Sequence, residues 1–224
     1  MQARLITLEG IDGVGKTTHI AHLVEYLSSQ DLPVTTYREP GATPLGEELR
    51  QILKHGPPRS PLAELLLFAA ARAELVNARV TPDLAAGTWV ILDRFTESTL
   101  AYQGALGAIP EKVLKAVCKA ATAGLVPDLT LWLDLEPQQA FSRRYPLAGV
   151  LDAHNGGAQA AMELDAIEQR SLGYFTRVRE RYLAMQKAEP DRILRIDASG
   201  SVEETAAKIK KAVTKKIKAW SKRD

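Results

Sequence analysis

Apolar and polar positions alternate along this chain in blocks that predict strands and helices in turn. Short apolar runs predict β-strands at residues 4–9, 33–38, 88–93, 128–135 and 192–196. The third and fourth runs have almost no polar interruption, which is typical of strands covered on both faces. Helical periodicity occupies the stretches between them, at 16–30, 44–55, 61–86, 98–105, 110–123, 136–145 and 162–187, and a helix also follows the last strand. Pro82 is expected to kink or end the helix at 61–86.

The segment between the first strand and the first helix carries the pattern G-x-x-x-x-G-K-T. Its glycines let the backbone curl so that successive N–H groups point at one anion, and the following helix adds the positive end of its dipole. Lys16 can reach the β- and γ-phosphates, and the Thr17 hydroxyl can bind Mg²⁺. The sequence therefore predicts a nucleoside triphosphate site built from Gly10, Ile11, Asp12, Gly13, Val14, Gly15, Lys16, Thr17 and Thr18.

Alternation of strands and helices after such a loop predicts an α/β fold of the P-loop NTPase type. We expect a three-layer sandwich, with a parallel sheet of roughly five strands and helices on both faces. No repeat or interdomain linker is evident, so residues 1–224 are expected to form one domain. Residues 146–157 have weak periodicity and several glycines, and a mobile lid is predicted at approximately 142–166.

Composition excludes several classes of protein. The chain is 46% hydrophobic and 25% charged, an ordinary globular balance, and its single cysteine excludes an internal disulfide framework. Neither a signal-peptide pattern nor an apolar run long enough for a bilayer is evident, so the cytoplasm is expected. The net charge of +2 conceals +7 in residues 208–224 and −5 in the rest. Because the apolar residues of that basic segment recur at helical spacing, we expect a docked helix with a solvated face and no nucleic-acid partner. Ser201 and Glu204 fit a capping box at its start.

Acidic residues close two of the predicted strands. Asp93 ends one apolar run and Asp134 ends another of the same form, so either could hold the metal ion. Arg94 follows Asp93 at the end of a strand, where a guanidinium needs an anion as partner. That anion could be a bound phosphate, which the guanidinium would bond bidentately. The alternative is a structural ion pair with a neighbouring acidic side chain.

A second pocket is indicated by Phe68 and Arg72, which lie four residues apart on one face of a predicted helix. An aromatic ring that stacks on a base and an arginine that bonds its edge would suit a nucleobase. The alternative is that this pair has no binding role, with the aromatic ring in the core and the arginine at the surface.

Several segments occur together in one order and resemble bacterial thymidylate kinases, P-loop kinases of nucleoside monophosphates. The P-loop is common to many families, whereas Asp93-Arg94-Phe95 and Tyr102-Gln103-Gly104 are narrower. The resemblance covers most of the chain, including residues 38–41, 44–47, 67–72, 98–99, 127–137 and 196–198. It implies transfer of the γ-phosphoryl group of ATP to dTMP with Mg²⁺, for dTTP synthesis, by a homodimer without nucleic-acid or membrane partners.

The resemblance also implies roles for individual residues. Phe68 would stack on thymine, Arg72 would bond its O4 edge, and Thr99 would lie near the base. Tyr102 would crowd the 2′ position of the sugar and so favour deoxyribose. The acceptor pocket would further include Asp12, Arg38, Pro40, Arg94, Ser98 and Gln103.

For the phosphates, the resemblance gives Arg94 the bridge between the acceptor phosphate and the transferred group. Asp12 would organise the acceptor sugar or the metal ion, with Thr17 and Asp93 as metal ligands, and Ala198 would belong to the loop around adenine. Lys16 and lid arginines would supply the positive charge that neutralises the phosphates on the donor side.

The predicted lid departs from the family pattern. With glycine at position 13, relatives supply catalytic arginines from the lid, but here the lid offers only Arg143 and Arg144. The usual arginine of a later Asp-Arg-Ile-Glu motif is replaced by Ala166, and Arg170 is a possible substitute.

Three other functions remain open from the sequence: another nucleoside or nucleotide kinase of this fold, such as a deoxynucleoside kinase; a GTP-dependent switch; and a nucleotide-binding protein with weak turnover. The switch is disfavoured because neither Asn77 nor Asn155 begins an Asn-Lys-x-Asp guanine motif.

Overall fold

The structure, a computed structural model, describes residues 2–144 and 170–222. In this part of the chain, one parallel sheet has the strand order β2-β3-β1-β4-β5. The strands are β1 Leu5–Glu9, β2 Val34–Arg38, β3 Trp89–Asp93, β4 Leu129–Asp134 and β5 Ile193–Asp197. The predicted α/β fold is confirmed, and each strand lies within two residues of its predicted bounds.

Helices follow the strands as the alternation predicts. Their bounds are α1 Lys16–Ser28, α2 Pro44–His55, α3 Pro61–Leu75, α4 Thr81–Ala85, α5 Thr96–Ala105, α6 Glu111–Ala121, α7 Pro137–Arg144, α8 Leu172–Ala188 and α9 Val202–Trp220. The predicted capping box opens α9, with Ser201 and Glu204 bonding each other's backbone N–H groups. No helix among the described residues is long and apolar enough to cross a bilayer.

Aromatic contacts fix helices to both faces of the sheet. On one face, Tyr182 of α8 stacks on Trp132 of β4, with ring centroids 5.7 Å apart. On the other, Trp220 of α9 meets Trp89 of β3 edge to face at 5.7 Å. The side chains of β1, β3 and β4 are almost wholly buried because both faces are covered.

Two helical predictions need correction. Of the predicted helix at 162–187, residues 162–169 lie outside the described residues, and the described part begins only at Leu172, because Ser171 is extended and its hydroxyl accepts the Tyr174 N–H at the start of α8. Of the two outcomes expected at Pro82, an end of the helix is wrong, because helical residues continue through α4 to Ala85, but the helix at 61–86 is not regular. A π-helical turn, Val76–Val80, precedes Pro82 and makes room for a residue that lacks an N–H group.

The register brings the carboxyl ends of the central strands to one edge. Leu8 of β1 lies opposite Asp93 of β3 and opposite Leu131 of β4. The strand order changes direction at β1, and ligands of open parallel sheets bind outside the carboxyl ends at such a point.

Candidate active site

A cavity of about 550 Å³ opens at this edge of the sheet. It gathers most of the residues that the sequence singles out: Asp12, Gly13, Gly15, Lys16, Thr17, Thr18, Arg38, Pro40, Phe68, Arg72, Asp93, Arg94, Ser98, Thr99, Tyr102, Gln103, Arg143 and Arg144. Gly10, Ile11, Val14 and Ala198 do not line it. The side chains of Ile11 and Val14 lie in the hydrophobic core, so only the backbone groups of these two residues are left for the phosphate-binding side of the loop.

The cavity is also lined by Glu39, which follows a strand end as a ligand-facing residue should, and by three residues that sequence reasoning missed, namely Arg50, Leu53 and Lys54. Arg50 and Lys54 lie four residues apart on α2, so that one helix face turns two cations toward the cavity. That spacing is the signal that could have found them. The Arg50 guanidinium also donates to the Pro40 carbonyl at 2.9 Å.

The loop between β1 and α1 curls around the space at the start of the helix. Gly13 has a φ of 86°, and a Cβ at this position would lie 2.2 Å from the Ala140 carbonyl oxygen of α7. No side chain fits at position 13 unless α7 moves. The close packing of α7 on the loop therefore explains why this chain has no arginine there.

Lys16 closes the loop on itself. Its Nζ donates to the carbonyl oxygens of Gly10 and Ile11, each at 3.1 Å, and lies 3.7 Å from Asp12 Oδ1. Burial lowers the pKa of Lys16, and the charge of Arg94 adds to the effect, while Asp12 and other acids oppose it. A cation held this way can transfer its bonds from carbonyls to phosphate oxygens.

Arg94 forms the ion pair that was the alternative to phosphate binding. Its Nη2 lies 2.9 Å from Asp12 Oδ1, and its Nη1 donates to the Gly10 carbonyl at 3.0 Å. Its guanidinium also lies over the Tyr102 ring, 5.0 Å from the centroid. Burial opposes ionisation of Asp12, but Arg94 and Lys16 outweigh it and hold the pKa of Asp12 well below its usual range. The pair faces the cavity, where an entering anion can compete with Asp12.

The structure distinguishes the two strand-end acids. Asp134 accepts hydrogen bonds from Arg179 at 2.7 Å and from Arg195 at 2.8 Å, so its charge is already neutralised. Asp93 lines the cavity, and among the described residues its buried Oδ1 has no hydrogen-bond partner. A buried carboxylate oxygen and a hydroxyl such as that of Thr17, which lines the same cavity, are the kind of ligands that suit a hard cation like Mg²⁺.

The aromatic end of the cavity is built around Arg72. Its side chain, only 2% exposed, bonds the Glu39 carboxylate at 2.7 Å and the Thr99 hydroxyl at 2.9 Å. Half-buried Phe68, one helical turn earlier on α3, lines the same wall. Gln103 is held by its own bond to Glu64 at 2.9 Å. A flat ring between fixed polar groups is the geometry that a nucleobase needs.

The candidate lid arginines have three different environments. Arg143 donates to the carbonyl oxygens of Ala198, Ser199 and Gly200 at 2.8 to 3.3 Å, so it ties α7 to the loop after β5. Arg144 lies against Gly13, and its charge adds to the low pKa of Asp12. Arg170 pairs with Glu64 at 2.7 Å and bonds the Tyr174 hydroxyl. Most of the predicted lid, residues 145–166, lies outside the described residues.

A phosphate-binding loop and a second, aromatic-walled pocket thus open into one cavity. This pairing is typical of P-loop proteins that move a phosphoryl group between two bound substrates. Comparison with known proteins gives the same class. The family model described as thymidylate kinase matches residues 8–209, and the chain belongs to this family of enzymes.

Similar proteins cover nearly the whole chain. Thymidylate kinase from Synechococcus sp. (strain JA-3-3Ab) is 46% identical over 214 residues, which are 96% of this chain and 97% of that protein. Thymidylate kinase from Chlorobium chlorochromatii is 44% identical over 197 residues, 87% of each. Thymidylate kinase from Chromohalobacter salexigens is 41% identical over 221 residues, 97% of this chain and 98% of that protein.

Proposed function

We propose that this cavity transfers the γ-phosphoryl group of ATP to dTMP, producing ADP and dTDP. The observation that carries the proposal is the position of Arg94 and Asp12, between the triphosphate loop and the pocket of Phe68 and Arg72. Such a reaction needs little covalent chemistry from the protein. It needs two anions brought into line and their charge neutralised.

On the donor side, the backbone of the loop and Lys16 would hold the phosphates of ATP. The loop after β5, which includes Ala198, would surround adenine, and Arg143 already fixes this loop through three carbonyl groups. Thr17 and Asp93 would hold Mg²⁺, which supplies charge neutralisation on the phosphate oxygens when bound. The Oδ1 of Asp93, which has no hydrogen-bond partner within residues 2–144 and 170–222, supports this assignment.

On the acceptor side, Phe68 would stack on thymine, while Arg72, Thr99 and Gln103 would bond its edge. Each of these polar side chains is fixed by a neighbour, which limits the entropy lost on binding. Tyr102 would exclude a 2′-hydroxyl. Arg38, Pro40 and Ser98 would complete the wall.

Arg94 would exchange Asp12 for phosphate and bridge the acceptor phosphate and the transferred group. Asp12, released from Arg94, would organise the acceptor sugar or the metal ion. Of the lid arginines, Arg144 would neutralise charge during transfer, because it lies beside Gly13 of the phosphate loop. The enzyme would work in the cytoplasm as a homodimer.

Competition among acceptors tests this function. In a coupled assay of ADP production with ATP and Mg²⁺, we expect dTMP to be used in preference to thymidine, UMP and CMP. Preference for thymidine would instead identify a deoxynucleoside kinase. ATP binding with no ADP production from any acceptor would identify a nucleotide-binding protein.

A further inference from the structure

Glu9, the last residue of β1, is a fully buried carboxylate that does not line the cavity but bonds the segment that carries Arg94 and Ser98, which do. Its Oε1 accepts the backbone N–H of Phe95 at 2.7 Å. Its Oε2 accepts the hydroxyls of Ser98 at 2.6 Å and Tyr182 at 2.8 Å. The carboxylate therefore joins four parts of the fold: the end of β1, the turn at Phe95 between β3 and α5, α5 itself through Ser98, and α8.

These bonds hold Arg94 at two points. The Phe95 N–H follows directly after Arg94, whose φ of 73° is unusual for a residue with a side chain. Ser98 accepts a hydrogen bond from Arg94 Nη1 at 3.2 Å. A hydroxyl has one hydrogen and two lone pairs, so Ser98 can accept from Arg94 and still donate its own hydrogen, either to Glu9 at 2.6 Å or to the Tyr182 hydroxyl at 3.1 Å, which itself donates to Glu9.

We propose that Glu9 is a positioning residue for phosphoryl transfer, and that its ionised carboxylate holds both the backbone turn and the guanidinium of Arg94 in place. The proposal rests on the proposed function of Arg94. Glu9 itself touches neither substrate.

The charges around Glu9 make this support sensitive to pH. Burial and the charge of Glu97 raise the pKa of Glu9 to about 7, although Ser98, Arg94 and Tyr182 oppose the change. Lys16 and Arg72 are further cations within its electrostatic reach. Protonation removes the negative charge that attracts Arg94, and the new hydrogen forces the Ser98 and Tyr182 hydroxyls to change the direction in which they donate. Arg94 is then held less firmly at acidic pH.

The Glu9→Gln variant tests the proposal, with steady-state kcat and KM measured from pH 6 to pH 8. At pH 8 we expect kcat to fall about 10- to 100-fold, because small misplacements of a catalytic group cost this much. KM for ATP and dTMP should change less than about threefold, since neither substrate touches Glu9. The ratio of variant to wild-type kcat should rise toward one at pH 6, where wild-type Glu9 is itself protonated. Taking the ratio cancels the titration of the substrate phosphates.

Glu97→Gln is the matched control. Glu97 is also a buried carboxylate, 2% exposed, but it pairs with Arg192, away from Arg94. We expect this variant to keep wild-type kcat at pH 8 and to lose activity only at a lower pH than the wild type, because a charge that raises the pKa of Glu9 is removed.

Two results would overturn the positioning role: a wild-type kcat in Glu9→Gln at pH 8, or a loss of the same size at every pH. If circular dichroism shows that Glu9→Gln is unfolded, Tyr182→Phe decides, because loss of this hydroxyl should shift the fall in kcat to higher pH, and an unchanged profile would overturn the proposal. Failure of the proposed function is separate, since the wild type would then make no ADP from dTMP.

Discussion

At the scale of one residue, the fold holds Arg94 in position before any substrate binds. The left-handed backbone conformation of Arg94 costs about 1–3 kcal/mol in a residue with a side chain. The fold maintains it through the Phe95 N–H bond to Glu9 and through the ion pair with Asp12. The guanidinium is therefore held at the cavity in a fixed position, paired with a partly exposed carboxylate that an entering phosphate would have to replace.

For this reason we expect Arg94→Ala to lose activity by about 10³-fold or more while the fold survives. The measurement is kcat with ATP and dTMP, with thermal unfolding as the check on structure. Arg94→Lys is the control, because it keeps the charge but not the planar fork and should recover only part of the rate. Near-normal turnover in Arg94→Ala would exclude the bridging role.

At the scale of elements, α7 connects both halves of the donor site. Its backbone packs against Gly13 at one point, and its last two residues point to different places: Arg143 to the loop after β5 and Arg144 to the phosphate loop. Adjacent residues of a helix lie about 100° apart, so one helix end can serve two partners.

Alanine substitutions of the lid arginines should therefore differ in their effects on kcat and KM. We expect Arg144→Ala to lower kcat, because its charge acts on the phosphates, and Arg143→Ala to raise KM for ATP with a smaller change in kcat. Arg170→Ala tests whether Arg170 substitutes for the arginine that is absent at position 166. Because Arg170 is paired with Glu64, we expect this variant to keep a kcat near that of the wild type. Arg177→Ala, in which the lost bond is to the Ala105 carbonyl, is a control for loss of an arginine from the same region. Unchanged kinetics in the Arg143, Arg144 and Arg170 variants would exclude a role for all three.

At the scale of the whole molecule, apolar side chains remain exposed on two helices that pack together. Leu45 and Ile52 of α2 and Leu62 and Leu66 of α3 are 44–51% exposed. Apolar exposure concentrated on one pair of helices is typical of a protein interface. The expected homodimer would bury this surface.

Sedimentation equilibrium at micromolar concentration should show a dimer for the wild type and a monomer for Leu62→Glu combined with Leu66→Glu, because a buried charge without a partner destabilises an interface. Val126→Glu is the matched control: Val126 is 59% exposed, lies outside these helices, and should leave the dimer intact. A monomeric wild type would contradict the expectation.

The sequence determined the order of the elements and most of their bounds, since apolar periodicity and the capping box of Ser201 and Glu204 are local signals. It also located the phosphate loop, because glycine positions and a lysine at fixed spacing encode that geometry within a few residues. The start of α8 was less accessible, because the Ser171 hydroxyl caps the helix inside a stretch whose apolar periodicity runs through it.

What only the tertiary structure decided is which side chains meet. Asp93 and Asp134 end strands of the same form, and nothing local reveals that two arginines neutralise Asp134 while one buried oxygen of Asp93 has no hydrogen-bond partner in the described part of the chain. Arg143 and Arg144 are neighbours in sequence with different partners, and Glu9 meets Ser98 and Tyr182 across 89 and 173 positions of the chain. Local patterns specify elements and loops, whereas the charge and hydrogen bonds that a side chain receives come from residues distant in sequence, which only the packing of the sheet and helices brings together.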